Sequence, residues 1–206
     1  MDTAVREHLE KVPGLQPALL NTIEAVSLAI EERDQYSVGH QRRVAQLSSI
    51  IGEQMGMPPE RVNGLYLGSV VHNIGELTVP LEILAYPGEL NANEFEIIRR
   101  HPKVGYEILK YVPFPWPIAE MVLQHHERLD GSGYPNGLKN GSILQESRIM
   151  AVADVVAAMA APRPHRPAHD IDAALTHINE KRGIWYDEAA VDVCVELFSR
   201  QSFTFH

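Results

Sequence analysis

Residues 149–159 read IMAVADVVAAM, and within them Ile149, Val152, Val156 and Met159 recur at the spacing of one helix face. The same spacing recurs along most of the chain, whereas no run of β-branched residues alternates with the period of two that strands show. Two further stripes are Leu19, Ile23, Val26 and Ile30, and Val44, Leu47, Ile51 and Met55. The pattern predicts an all-α fold of roughly seven to nine helices.

Length and composition indicate one compact domain. The chain has 206 residues, of which 45% are hydrophobic, enough for one buried core and too few to require two. The helical pattern of apolar residues is weak at the N-terminus and is interrupted by Pro13 and Pro17. We therefore predict that residues 1–15 are an N-terminal lead-in or helix end and that residues 16–206 form the domain.

Charge and cysteine usage narrow the class of partner and the compartment. A net charge of -9 argues against binding of duplex nucleic acid, which needs clustered Lys and Arg. The single Cys194 cannot form an intrachain disulfide, no signal peptide opens the sequence, and no apolar run approaches the ~20 residues of a membrane span. We expect a cytoplasmic protein without a membrane segment.

Asp154 lies in the middle of the apolar stretch, where an unpaired carboxylate would be costly. It therefore needs a partner. Arg148 is close enough in sequence to form an ion pair with it, and a cluster of histidines with a metal ion is the alternative.

A second stretch, residues 124–135, reads QHHERLDGSGYP. His125 and His126 continue the apolar stripe of the preceding helix at i+4 from Met121 and Val122, so both imidazoles should face the interior. A glycine-rich turn follows at once. Adjacent buried imidazoles suit a transition-metal site, although a single buried histidine is more often a hydrogen-bonded core residue.

Read together with His40, His72, His101 and Asp154, this stretch resembles the HD-GYP family, metal-dependent phosphodiesterases of bacterial cyclic dinucleotide signalling. The resemblance runs from about Leu19 to Phe198. It implies a divalent transition metal (Fe, Mn, Ni or Zn), one ion or two. The implied ligands are His40, His72 and Asp154 for one ion and His101, His125 and His126 for the other.

The name-giving family motif HDxGK is altered, since residues 72–76 read HNIGE. Asn73 takes the position of the carboxylate that bridges the two metals, and an amide is neutral and a poor bridge. Glu76 takes the position of a lysine that reaches substrate phosphate. Either the site has lost function, or Glu76, at i+3 from Asn73, returns the missing negative charge.

The resemblance also implies a substrate side. Residues 131–137 match the family's GYP loop, which makes Gly131, Gly133, Tyr134 and Pro135 candidate substrate-binding residues. Arg163 and Arg166 match a pair of family arginines that approach the phosphates, a task suited to guanidinium groups.

The activity that this resemblance implies is hydrolysis of a 3′–5′ phosphodiester, with cyclic di-GMP as the expected ligand and with turnover reduced or lost through Asn73 and Glu76. One alternative is a non-catalytic module that binds a cyclic dinucleotide or a protein. Another is a phosphohydrolase for a different nucleotide. Further expected partners are diguanylate cyclase-type domains, contacted through the GYP loop, and an upstream sensor domain.

Overall fold

The structure is a computed structural model that describes residues 17–33, 38–161, 170–200 and 203–205. These residues form nine helices of seven residues or more and one four-residue helix, with no β-strand among them. The helices are α1 (Pro17–Arg33), α2 (His40–Gln54), α3 (Pro59–Val71), α4 (Leu81–Leu84), α5 (Ala92–Ile98), α6 (His101–Leu109), α7 (Ile118–Gln124), α8 (Gln145–Ala160), α9 (Ile171–Glu180) and α10 (Glu188–Arg200). The predicted all-α fold is confirmed. The lead-in predicted for residues 1–15 lies outside the described residues.

The core lies where α2 packs against α3 and α8, with α7 closing against α3. Apolar residues that recur at helical spacing in the sequence contribute to this core, and four of them are fully buried: Leu47, Ile51, Ile149 and Val152. Burying each such side chain contributes ~1.5–3 kcal/mol, so the stripes determine which helix faces meet.

Helix ends converge on one side of this core. His40 and His101 are the first residues of α2 and α6, while His72 and His125 directly follow the last residues of α3 and α7. Asp154 alone comes from the middle of a helix, α8. The helix α7 stops at Gln124, so His125 and His126 lie just beyond it, and His125 is fully buried, as the apolar stripe predicted.

Between α3 and α4 the chain forms a 3₁₀ turn, Ile74–Thr78, that packs directly on α6. A Cβ added to Gly75 would lie 1.9 Å from the carbonyl oxygen of His101 and 2.8 Å from the amide nitrogen of Gly105. Only glycine allows this approach, because the atoms in the way are backbone and cannot rotate aside.

We expect Gly75→Ala to destabilise the protein by ~3 kcal/mol or more, the upper end of overpacking penalties. Gly141→Ala is the matched control, since nothing lies within 4 Å of its added Cβ. Urea unfolding of the two variants beside wild type tests this, and equal midpoints would contradict the packing described.

Aspartate side chains cap the starts of α9 and α10. Asp170 accepts a hydrogen bond from the amide of Asp172 at the start of α9, and Asp187 accepts from Ala189 and Ala190 at the start of α10. None of the described helices is long and apolar enough to span a membrane. The expected cytoplasmic location stays a prediction.

Candidate metal centre

The first group of candidate ligands joins α2, α3 and α8. Asp154 Oδ1 lies 3.1 Å from His40 Nε2 and 3.7 Å from His72 Nε2. The ligand atoms of the three residues lie within 4.8 Å of one another. His40 and His72 are buried, and the Asp154 side chain is 13% exposed. The group could hold one metal ion.

Arg148, the alternative partner of Asp154, is bound elsewhere. Its guanidinium donates a hydrogen bond to Asp187 Oδ2 at 2.5 Å. The carboxylate in the apolar helix is therefore paired with imidazoles, and the interpretation as a simple Arg148–Asp154 ion pair was wrong.

The second group is formed by His101, His125 and His126, whose ligand atoms again lie within 4.8 Å of one another. His101 Nε2 lies 3.1 Å from His125 Nε2. The rings of His125 and His126 are 4.1 Å apart, centroid to centroid, and His101 is 5.0 Å from His126. Three imidazoles directed at one point form a donor set suited to a transition metal.

Backbone hydrogen bonds determine which ring nitrogen is available. In three of the histidines Nδ1 contacts a backbone carbonyl oxygen. Nδ1 of His72 lies 2.7 Å from the oxygen of Ser69. Nδ1 of His101 lies 2.9 Å from the oxygen of Ile98, and Nδ1 of His125 lies 2.6 Å from the oxygen of Val122. Each carbonyl is three residues back and can only accept, so Nδ1 carries the proton and Nε2 presents its lone pair. The buried Nε2 of His72 has no hydrogen-bond partner within the described ranges. Both observations fit metal ligation.

The two groups are neighbours. His72 of the first lies 5.2 Å from His125 of the second, measured between ring centroids, and 5.5 Å from His40. The six predicted ligands thus form one continuous cluster of side chains. Such proximity suits a pair of metal ions that act on one substrate.

Burial and charge set the protonation of the cluster. Burial lowers the pKa of His101 to about 4 and holds the pKa values of His125 and His126 well below the usual range, so these imidazoles are neutral. Burial also disfavours charge on His72 and Asp154, but their mutual attraction outweighs it. The pKa of His72 is raised, and that of Asp154 is lowered with the help of His40.

The two altered motif residues lie beside the first group. Asn73 is buried and precedes the 3₁₀ turn, and its carbonyl oxygen accepts a hydrogen bond from the amide of Glu76. This backbone bond links the two residues across the first turn, and the suggestion that the Glu76 carboxylate replaces the missing charge of Asn73 stays a prediction. Arg33 of α1 anchors the turn by donating to the carbonyl oxygens of Glu76 and Val79.

The GYP loop borders the second group. The amide of Tyr134 donates to the His126 carbonyl oxygen at 3.2 Å, and a Cβ on Gly133 would lie 2.5 Å from that oxygen. Gly131 has φ 84°, which favours glycine. The Tyr134 ring stacks on His126 with centroids 4.8 Å apart. The other two predicted substrate residues, Arg163 and Arg166, lie outside the described residues.

Sequence reasoning missed the side chain that holds this loop. Glu127 is buried, and its two carboxylate oxygens accept hydrogen bonds from the amides of Asn136 at 2.7 Å and Leu138 at 2.9 Å. A signal was available, because an acidic residue between a buried histidine pair and a glycine-rich turn is well placed to accept loop amides.

Known proteins are similar to this chain in sequence and fold. The family model described as HD domain matches residues 24–190, most of the chain. The chain belongs to the HD domain family. The resemblance to HD-GYP proteins is supported by curated relatives. The chain is 37% identical over 173 residues to "Cyclic di-GMP phosphodiesterase response regulator RpfG" of Xanthomonas campestris, and the match covers 83% of this chain and 46% of the relative.

Another relative is the "Cyclic di-GMP phosphodiesterase" of Thermotoga maritima, 36% identical over 87% of this chain and 49% of its own length. Among solved structures, the cyclic GMP-AMP specific phosphodiesterase V-cGAP3 of V. cholerae has a TM-score of 0.69 at 18% identity, covering 88% of this chain and 49% of that one. That likeness supports the HD fold. The chain spans about half the length of the curated relatives it matches.

Proposed function

We propose that this domain binds a cyclic dinucleotide over the two groups of ligands and hydrolyses one 3′–5′ phosphodiester bond slowly, with cyclic di-GMP as its substrate. The observation that carries the proposal is the continuous cluster of His40, His72 and Asp154 with His101, His125 and His126. Relatives that carry the name cyclic di-GMP phosphodiesterase support the substrate.

Each group offers three ligands for a divalent metal ion, and with Asn73 in place of the family's carboxylate we expect the wild-type protein to retain about one ion per chain. When bound, the ions would supply Lewis-acid activation of the phosphodiester and of a water molecule. The protein contributes neutral Nε2 donors held in place by backbone carbonyls, and the carboxylate of Asp154 offsets positive charge. Tyr134 keeps its proton, because burial and the nearby Asp154 charge raise its pKa, so its hydroxyl can donate to an anionic ligand.

Substrate contacts would come from the loop residues Gly131, Gly133 and Pro135 and from Arg163 and Arg166. The assignment of the two arginines rests on the sequence resemblance alone. Diguanylate cyclase-type partners and an attached sensor domain stay predictions.

A non-catalytic receptor for the same ligand is the second candidate, and the altered motif favours it. By the family resemblance, Asn73 replaces a carboxylate that lies between the two metals, and Glu76 replaces a lysine that approaches substrate phosphate. Both changes weaken catalysis more than binding by the rest of the surface, because charge neutralisation matters most in the transition state.

Metal analysis of protein purified without chelators, run beside a product assay with cyclic di-GMP, tests the proposal. An enzyme retains at least one metal per chain and releases linear dinucleotide or GMP. Saturable binding without product at full metal occupancy would establish the receptor instead. Absence of both metal and ligand binding would overturn the proposed function.

We expect Asn73→Asp to raise metal content from about one towards two ions per chain, because a bridging carboxylate reduces repulsion between the cations. Asn179→Asp, an exposed position on α9, is the control that adds the same charge elsewhere. Elemental analysis after dialysis measures the occupancy. Two tightly held ions in the wild-type protein would contradict this account of Asn73 and point to Glu76 as the substitute ligand.

A further inference from the structure

His126 is held differently from the other histidines of its group. His101 and His125 each direct Nδ1 to a backbone carbonyl three residues back. No such bond to a ring nitrogen of His126 is found in the part of the chain that the structure describes. A metal-ligating imidazole needs a partner that fixes its orientation, so another contact must hold this ring.

The ring of Tyr134 makes that contact. It stacks on His126 with a centroid separation of 4.8 Å and an interplanar angle of 29°. The backbone is clamped as well, through the hydrogen bond from the Tyr134 amide to the His126 carbonyl oxygen. A ring stacked on the imidazole face restricts rotation of the imidazole about its Cβ–Cγ bond, which a single contact at the ring edge would not do.

The outer face of Tyr134 is covered by Arg99. Its guanidinium carbon lies 5.0 Å from the centre of the tyrosine ring. Because the His126 imidazole already covers one face, we infer that Arg99 lies on the opposite face, and Phe95 meets the ring edge-on at 6.5 Å. Both faces of Tyr134 are therefore in use, which leaves its edge and hydroxyl, and neither face, for a ligand.

We propose that Tyr134 and Arg99 are positioning residues for His126: Arg99 presses the tyrosine ring onto the imidazole, which keeps His126 aligned with His101 and His125. The inference rests on the proposed metal site and adds to it. Arg99 lies two residues before His101, so one short segment supplies both a ligand of the group and the cation that fixes another ligand.

The test is metal affinity, measured by competition with a chelator on the full chain loaded with Zn²⁺, and by the visible spectrum of the Co²⁺-loaded protein. We expect Tyr134→Ala and Tyr134→Leu to weaken binding at the second group by about 10- to 100-fold, the usual effect of losing an orienting partner. Tyr134→Phe keeps the ring face and should bind as wild type does. Arg99→Ala should weaken binding by about 2- to 5-fold.

Arg100→Ala is the matched control. Arg100 is the exposed neighbour of Arg99 and makes neither contact, so its removal should leave affinity and the Co²⁺ spectrum unchanged. Arg99 is at the surface, so Arg99→Ala tests the proposal even if a Tyr134 variant fails to fold.

Wild-type affinity in Tyr134→Leu, or a Tyr134→Phe variant as weak as Tyr134→Ala, would overturn the role of the ring. Equal affinities for Arg99→Ala and Arg100→Ala would overturn the role of Arg99. In each case the wild-type protein still binds metal and the proposed function stands. A wild-type protein that binds no metal at all overturns the proposed function and this inference together.

Discussion

We expect the double variant Asn73→Asp with Glu76→Lys to hydrolyse cyclic di-GMP at least about 100-fold faster than the wild-type protein. That is the scale of losing one preorganised electrostatic group. If the two positions have the roles that the family resemblance implies, the aspartate returns negative charge between the two ligand groups and the lysine replaces a carboxylate that repels the substrate phosphate. Asn73 directly precedes the 3₁₀ turn that carries Glu76, and a backbone hydrogen bond joins the two residues, so both changes are made beside the same ligand group.

Each single change should do less than the pair. Asn73→Asp alone leaves Glu76 facing the phosphate, and Glu76→Lys alone adds positive charge to a site already short of a negative one. Asn179→Asp with Glu180→Lys makes the same pair of changes on the exposed end of α9 and should leave the rate unchanged. Product formation by chromatography, at matched metal content, measures the effect. A metal-loaded double variant as slow as wild type would show that the defect lies outside residues 72–76.

The metal-free protein should lose stability steeply on acidification from pH 6.5 to pH 4. His101, with its pKa lowered to about 4, stays neutral when folded and takes up a proton when unfolded. Unfolding is therefore favoured as pH falls through this window, by about 3 kcal/mol at pH 4 from His101 alone. His125 and His126, whose pKa values are also lowered, act in the same direction. This loss is a large part of the free energy of unfolding of a typical domain, which is ~5–15 kcal/mol.

The opposite shift of His72 does not cancel this effect. Its pKa is raised by Asp154 against the effect of burial, so its stabilisation is fully present below pH 6.5 and is lost only as pH rises through the folded value. The lowered pKa of Asp154 matters only in more acidic solution, below about 3.8.

Urea unfolding between pH 7 and pH 4 in the presence of a chelator measures the slope. His101→Asn removes one of the titrating groups and should flatten the dependence. Stability that is constant across this range would contradict neutral burial of the three imidazoles.

The fold class and the membership of the cluster could be predicted from the chain alone. Helical stripes identify which faces are buried, because the 3.6-residue period is local and repeats many times. The set of six candidate ligands was predicted from the resemblance to the HD-GYP family, and the local pattern of His125 and His126 before a glycine-rich turn pointed to the same chemistry. Asp154 was identified because a lone carboxylate in an apolar helix requires a partner.

The identity of that partner was decided only by tertiary structure. Arg148 is nearer to Asp154 in sequence, yet it pairs with Asp187, while His40, 114 residues away, reaches the carboxylate. The end of α7 at Gln124 also escaped prediction, because a helical stripe does not show where the last turn stops.

The contacts that orient the site belong to tertiary structure as well. Arg99 and His126 both contact the ring of Tyr134, although 35 residues separate Arg99 from Tyr134 along the chain. Sequence pattern reports spacing within an element, whereas these ring contacts depend on how the end of α5, the end of α7 and the loop pack against one another. The chain by itself therefore determined which residues enter the centre, and the packing of its helices decided which nitrogen, ring face and charge each of them presents there.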